Sequence, residues 1–426
     1  MLTRNNVSLF TKKIIFDQEI ADVHSHMTPE EWKELLLISF CDLLLYHYII
    51  QEFCQYLNKK LYPNLGIPEG WDEKKVDSIV RMPQDSPERI KLAKLVWEIL
   101  FVKYLPTSAA TRGVIEILKA MDISLAGMDF DEIKKDFDKG SISDRLDAAF
   151  KLSGTAFTVM TNDPWNTLES EQMKIPVKDK RFKYALRFDA LFTMQGGPER
   201  WEKELRKEYA KMKKLGHVCY LAASLPYDYS DSHEIMSFLT KYLLPFAQEV
   251  DITVGLMIGT VRQVNPDMGL AGDSYRPSSL MGLNELLKKN KSNEGLDVTF
   301  LVTVLDPNLQ RELSILSTKF ASTLVFGLWW FNLGESTMEQ VTRYREEWQG
   351  AGYVPIHTDA RHPLHMICKF NGFRRIYTKI LTEHFVELID NGVPVTEEQI
   401  REKIRSQFFD LPSRAIGLDP KDALVA

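Results

Sequence analysis

Two short segments near opposite ends of the chain carry residue types that bind metal ions. The segment 22–26 (DVHSH) and the segment 358–361 (TDAR) each follow an apolar run. Residues two apart in a strand point to the same side, so the imidazoles of His24 and His26 can converge on one ion. Asp359 can add a carboxylate if the two segments are neighbours. The alternatives are that the histidines are ordinary polar residues at a strand end and that Asp359 caps the next helix.

The elements that must position these residues form a regular alternation. Eight apolar, β-rich segments each precede a helical pattern, at residues 20–23, 156–160, 184–188, 218–222, 252–258, 300–304, 324–328 and 353–356. Eight such units are the number that a closed (β/α)₈ TIM barrel requires, with strands one and eight adjacent. A doubly wound open sheet is the alternative, but no GxGxxG or GxxxxGK[ST] motif follows any of these segments.

The sequence predicts one α/β domain over residues 1–426. About 130 residues with helical periodicity separate the first two strands, which is far too long for a plain βα connection. We therefore expect residues 28–155 to form a helical insertion that caps the catalytic face, and residues 362–426 to form a C-terminal helical segment. Within the insertion, the segment 34–59 is predicted to be one helix.

Composition and charge are those of an ordinary soluble enzyme. The chain has 53 basic and 59 acidic residues and a net charge of −6, which gives no sign of a nucleic-acid or membrane partner. An anionic substrate must then be bound by a few placed arginines. Four cysteines without a CxxC spacing suggest buried reduced thiols. The N-terminal segment lacks the apolar run of a signal peptide, and we expect a cytoplasmic protein.

Metal-binding residue types are absent from predicted strands four, five and six, which limits the kinds of metal-dependent reaction that the site can catalyse. A binuclear metallohydrolase on this barrel needs a lysine or glutamate on strand four and histidines on strands five and six. Residues 217–224 contain no lysine or glutamate, and residues 254–259 and 300–305 contain no histidine. The sequence therefore predicts at most one metal ion and disfavours hydrolysis.

In their order along the chain, the motifs resemble those of the uronate (glucuronate) isomerases, a divergent branch of the amidohydrolase superfamily. The matching segments are 22–27 (DVHSHM), His47-Tyr48, 161–164 (TNDP), 187–189 (RFD), 257–262 (MIGTVR) with Asn265, 329–331 (WWF) and 358–361 (TDAR). The resemblance covers nearly the whole chain. Two departures are Met257, where the family has a histidine, and Ala360, where it has a serine.

The resemblance implies an aldose–ketose isomerisation of a hexuronate. It implies a Zn²⁺ held by His24, His26 and Asp359, with Asp359 as the base at C2. The other implied catalytic groups are Tyr48, His47 and Arg361, and the implied substrate-binding residues are Arg187, Arg262, Trp329 and Trp330. Because Met257 replaces a histidine, weak metal binding is expected.

Two other functions stay open at this point. A mononuclear metal-dependent hydrolase or decarboxylase is one, although the missing histidine on strand five counts against it. A barrel that binds without catalysis is the other, although the joint presence of His24, His26, Asp359 and Arg361 counts against it. The expected partner is a small hexuronate, either glucuronate or galacturonate. Association into a homo-oligomer is also open.

Overall fold

The computed structural model describes residues 1–292 and 295–423, and a parallel sheet forms its centre. The strands are β1 (Ile20–Ser25), β2 (Thr155–Asn162), β3 (Phe182–Arg187), β4 (Val218–Pro226), β5 (Thr253–Val261), β6 (Ser274–Tyr275), β7 (Phe300–Val304) and β8 (Thr323–Val325). Seven of them pair in parallel in the order β1-β2-β3-β4-β5-β7-β8, and the short β6 pairs antiparallel with β5. The predicted α/β architecture with a parallel sheet is confirmed.

Helices lie between nearly all consecutive strands. The α-helices are α1 (Val7–Asp17), α2 (Phe40–Leu44), α3 (His47–Cys54), α4 (Glu73–Val80), α5 (Pro87–Trp97), α6 (Ala109–Ala120), α7 (Phe130–Phe137), α8 (Ile142–Ser153), α9 (Thr167–Gln172), α10 (Gly197–Leu215), α11 (His233–Ser237), α12 (Leu244–Glu249), α13 (Met281–Ser292), α14 (Leu309–Ser317), α15 (Glu335–Gln349), α16 (His365–Asp390), α17 (Glu397–Arg405), α18 (Leu411–Ala415) and α19 (Pro420–Ala423). Within the described residues, none of these helices combines the length and apolarity needed to cross a membrane.

The segment 353–360 brings the chain back beside β1. Its residue Val354 forms a parallel bridge with Phe326, just after β8. Farther along, the amide of Asp359 donates to the carbonyl of His24 over 3.0 Å, and the amide of His26 donates to the carbonyl of Ala360 over 2.7 Å. These bonds connect the segment that follows β8 to β1, the first strand in the order of the sheet.

The prediction of a regular eighth strand over residues 353–356 is wrong, since a single bridge is all that forms there. Thr358, just beyond this segment, bonds to a side chain of β1 where a regular strand would bond to the backbone. The Thr358 amide donates to Asp22 Oδ1 over 2.9 Å, and the Thr358 hydroxyl donates to Asp22 Oδ2 over 2.5 Å. The buried carboxylate of Asp22 thus replaces part of the ladder between this segment and β1.

The segment 34–59, predicted as one helix, forms two helices, α2 and α3. Ser39 and Asp42 make a reciprocal capping box that starts α2. Tyr46 interrupts the helical path with an extended backbone, at ψ 142°. The apolar periodicity continues through the break, so periodicity alone could not reveal it.

Gly327 ends β8 early because its backbone turns into the left-handed region, at φ +60°. A Cβ atom there would lie 1.7 Å from Cδ2 of the fully buried His357 ring. The carbonyl of Gly327 also accepts from Arg345 Nη1 over 2.6 Å. This position requires glycine for both its conformation and the space around it.

We expect Gly327→Ala to lower the free energy of unfolding by about 3 kcal/mol or more, as the sum of backbone strain and overpacking. Gly70→Ala is the matched control, because Gly70 has φ +78° but a Cβ atom there would meet nothing within 4 Å. It should cost only about 1 kcal/mol. Urea denaturation of both variants measures the difference, and equal losses would contradict the steric argument.

Candidate active site

The three predicted metal ligands lie together at the carboxyl end of β1. Asp359 Oδ1 lies 3.5 Å from Nε2 of His24 and 3.2 Å from Nε2 of His26. One ligand atom from each residue lies within 4.8 Å of the other two, and the group is buried or nearly so. The alternative role for Asp359, capping the next helix, is wrong, because α16 begins at His365 and its cap position is Leu364.

The hydrogen bonds of His24 fix which ring nitrogen carries its proton. Nδ1 lies 2.9 Å from the hydroxyl of Tyr220, and that hydroxyl donates its own proton to the carbonyl of Val23 over 2.9 Å. A hydroxyl has one proton to give, so Tyr220 must accept from Nδ1–H. In the neutral imidazole, Nε2 of His24 is therefore the acceptor, and it has no hydrogen-bond partner within the described residues.

His26 is fixed in the same way by a different strand. Its Nδ1 lies 2.9 Å from the hydroxyl of Thr161, and that hydroxyl donates to the carbonyl of Ser25 over 2.9 Å. Thr161 must then accept from Nδ1–H, which leaves Nε2 of His26 unprotonated as well. Both imidazoles thus present a lone pair toward the carboxylate of Asp359.

Three acceptors that face one another repel unless a cation lies between them. Burial, reinforced by the nearby Arg361, lowers the pKa of His26 to about 3. At neutral pH, a proton shared between His26 and Asp359 therefore does not relieve this repulsion. Burial raises the pKa of the Asp359 carboxyl, whereas protons or positive charge on the two histidines lower it well below the usual range. With both imidazoles neutral, a bound cation must supply that positive charge. Neutral imidazoles with protonated Nδ1 atoms and an ionised carboxylate are the states that a divalent metal ion binds. The donor set fits such an ion.

A cavity of about 610 Å³ opens beside these ligands. Three of its lining residues that are not glycine have positive φ angles, at 51° for Gln263, 52° for Trp330 and 46° for Asp359. Such angles cost free energy and persist where surrounding contacts enforce them, most often at functional sites. The strain supports this cavity as the candidate functional site.

Two of the predicted substrate-binding arginines line the cavity but already have acidic partners. Arg187 lies 3.0 Å from both Asp163 and Asp189. Arg262 lies 2.7 Å from Asp273, and its guanidinium lies over the Trp330 ring at 5.4 Å. Their positive charges are therefore largely neutralised within the protein.

Arg361 lines the same cavity and differs from these two. Within the described residues it has no carboxylate at ion-pair distance, and burial lowers the pKa of its guanidinium. An enclosed cation without a partner is costly unless a ligand neutralises it. This arginine is the cavity's available site for negative charge.

The aromatic residues divide between the cavity wall and its support. Trp329, Trp330 and His47 line the cavity as predicted, and so does Tyr46, which the sequence reasoning missed. Tyr48 is not among the lining residues. Its ring packs against those of Tyr46, His47 and Phe331, and its hydroxyl is buried without a hydrogen-bond partner in the described part of the chain.

Met257 occupies the position where the related family has a histidine. It is buried in an apolar cluster with Tyr220 and Phe326 on the inner side of the sheet. It is not among the cavity-lining residues, so here it fills space in the core. Tyr220, which orients His24, was also missed, since nothing in its local sequence marks it. Thr161, which orients His26, was noted only as part of the 161–164 motif, without this role.

Solved structures match the chain over its full length. A uronate isomerase from Bacillus halodurans C-125 is 27% identical, with a TM-score of 0.87 and coverage of 100% of both chains. The predicted resemblance to the uronate isomerases is confirmed. A uronate isomerase from Thermotoga maritima (15% identity, TM-score 0.71, 96% of this chain and 97% of that one) and a glucuronate isomerase from Caulobacter crescentus (14%, 0.72, 97% and 94%) share the fold. No family model and no curated protein matched.

Tyr220→Phe should weaken divalent-metal binding about 10- to 100-fold, because His24 loses the partner that holds its tautomer and ring orientation. Calorimetric titration with Zn²⁺ and Co²⁺ measures the affinity. Tyr229→Phe is the control, since its hydroxyl is also buried but accepts from the remote amide of Leu283. An affinity of Tyr220→Phe within twofold of the wild type would refute the tautomer argument.

Proposed function

We propose that the protein is a uronate isomerase. It would interconvert D-glucuronate and D-fructuronate, or D-galacturonate and D-tagaturonate, by moving a proton from C2 to C1 through an enediol. The observation that carries the proposal is the 27% identity to a uronate isomerase over the whole of both chains. The cavity supports it further, because Arg361, which has no ion-pair partner in residues 1–292 and 295–423, lies in the same cavity as the His24, His26 and Asp359 group.

The proposal includes a closed (β/α)₈ barrel of the amidohydrolase type. The backbone hydrogen bonds between β1 and residues 359–360 support the closure. Helices α2 to α8 fall within residues 28–155, which we propose form a cap over the cavity. Residues 362–426, of which 424–426 lie outside the described residues, would include a C-terminal helical segment, α16 to α19.

Asp359 would remove the proton from C2. Its carboxylate is ionised, and it faces the histidines through Oδ1, which leaves Oδ2 for the substrate. A positioned base of this kind contributes about 10²- to 10⁴-fold in rate. The same group would return the proton at C1.

Arg361 would offset the negative charge that develops on the enediolate oxygens, since it has no anionic partner among the described residues. Arg187 and Arg262 would bind the substrate carboxylate by directed hydrogen bonds more than by net charge. Trp329 and Trp330 would form the apolar wall against the sugar. His47 lines the cavity and would lie near the carbonyl oxygen, whereas Tyr48, which lies outside the lining, would support the His47 ring.

Zn²⁺ is the ion we propose for His24, His26 and Asp359, and when bound it would supply Lewis-acid polarisation of a substrate oxygen. Tyr220 and Thr161 would keep the two imidazoles in the metal-binding tautomer. The protein would act on a small hexuronate without nucleic acid or membrane, and its self-association stays open.

Incubation with each hexuronate in D₂O, followed by NMR, tests the proposal. We expect formation of the ketose with deuterium at C1 from at least one of them. Asp359→Asn should reduce the rate by at least about 10²-fold, because the amide cannot accept the proton. Asp131→Asn, at an exposed residue, is the control. Failure to convert either sugar with metal bound, or product with added water or lost CO₂, would refute isomerisation.

The two kinds of arginine should respond differently to removal of charge. Arg361→Met should lower kcat/KM by about 10²-fold or more while keeping or raising the free energy of unfolding, since no ion pair is lost. Arg187→Met should lower the free energy of unfolding by about 3 kcal/mol, because two enclosed carboxylates lose their partner. Kinetics together with urea denaturation separate these effects. A similar loss of stability in both variants would contradict the assignment of Arg361 as the available cation.

A further inference from the structure

The turn that carries Asp359 is strained and completely enclosed. Thr358 and Ala360 are fully buried, and Asp359 is 8% exposed. Asp359 holds a φ angle of +46°, in the left-handed region that aspartate enters at a cost. Surrounding contacts must therefore enforce the conformation that points its carboxylate at the two histidines.

The amide groups of the turn are satisfied by β1 and by the turn itself. Asp22 accepts from the Thr358 amide, the carbonyl of His24 accepts from the Asp359 amide, and the Thr358 hydroxyl accepts from the Ala360 amide over 3.3 Å. These bonds fix one edge of the turn against β1. They leave two carbonyls, those of Thr358 and Asp359, to be accounted for.

Lys369 supplies the partner for both carbonyls. Its ammonium donates to the Thr358 carbonyl over 2.7 Å and to the Asp359 carbonyl over 3.3 Å. The same ammonium lies 5.8 Å from the centre of the Tyr46 ring, whose face favours a cation there. Lys369 belongs to α16, a 26-residue helix that gives it a rigid base. The proposed isomerisation gives this residue no role of its own.

We infer that Lys369 is a positioning residue for Asp359. Two carbonyls of the same turn converge on one ammonium, which holds the turn through acceptors that β1 does not use. Without that ammonium, the two buried carbonyl acceptors are unsatisfied. The strained φ angle of Asp359 then also loses one of the sets of contacts that enforce it. The carboxylate then leaves the position that faces His24 and His26. The ammonium contacts the backbone, so it acts through Asp359 and not on the substrate.

Lys369→Met removes the donors and keeps the length of the apolar stem. The control is Lys379→Met on the same helix, where the lysine is exposed and paired with Glu339. Two quantities are measured for each variant: the affinity for Zn²⁺ alone by calorimetry, and kcat and KM for the hexuronate that the wild type converts. The kinetic half rests on the proposed function, whereas the affinity half does not.

For Lys369→Met we expect Zn²⁺ affinity 10- to 100-fold weaker and kcat about 10²-fold lower, with KM within threefold of the wild type. Lys369→Gln keeps N–H donors and should recover part of both losses. Lys379→Met should change neither quantity by more than twofold.

Lower thermal stability of Lys369→Met, with Zn²⁺ affinity and kcat within threefold of the wild type, would overturn the inference and leave only a structural role. If the methionine variant does not fold, Lys369→Gln is judged by the same affinity criterion against Lys379→Gln. If the wild type converts neither hexuronate, the proposed function fails. The ratio of Zn²⁺ affinities then still decides whether Lys369 positions Asp359.

Discussion

The convergence of three unprotonated acceptors is the constraint on which the rest of the site depends. When both imidazoles are neutral, Nε2 of His24, Nε2 of His26 and Oδ1 of Asp359 face one another as acceptors. The arrangement is unfavourable on its own, and it is stabilised once a cation occupies the space. Tyr220 and Thr161 hold the two imidazoles in this tautomer by accepting hydrogen bonds from their Nδ1–H groups.

The fold supports this convergence by holding the ends of the sheet's path together. Asp22, which precedes the histidine ligands on β1, bonds to Thr358, and backbone bonds join residues 359–360 to β1. Gly327 makes room for the His357 ring, which contacts the ring of His24 at 4.9 Å between centres. Backbone strain at Asp359 is tolerated because these contacts leave the turn little freedom.

The sequence predicted the parts of the site that follow from periodicity and strand order. His24 and His26 lie two residues apart in sequence at the end of β1. Asp359 follows the apolar segment 353–356, which was expected to lie beside that strand. The parallel sheet followed from eight alternating segments. These features depend on repeating geometry, which is visible in a single sequence.

Other features depend on contacts between distant parts of the chain. Tyr220 and Thr161 lie on β4 and β2, and their pairing with the histidines follows from the detailed register of the sheet. The break at Tyr46 is hidden by an uninterrupted apolar pattern. The pairing of Arg187 with Asp163 depends on the neighbouring positions of β2 and β3, at whose ends these residues lie. The domain boundaries, including the cap over residues 28–155, stay predictions.

The most direct test of the three-acceptor metal site is a crystal structure of the protein soaked in Zn²⁺, with anomalous differences measured at the zinc edge. We predict one peak about 2.0–2.2 Å from Nε2 of His24, Nε2 of His26 and an oxygen of Asp359. Both Nδ1 atoms should keep their bonds to Tyr220 and Thr161. A fully occupied peak elsewhere with none between these three atoms would contradict the central claim.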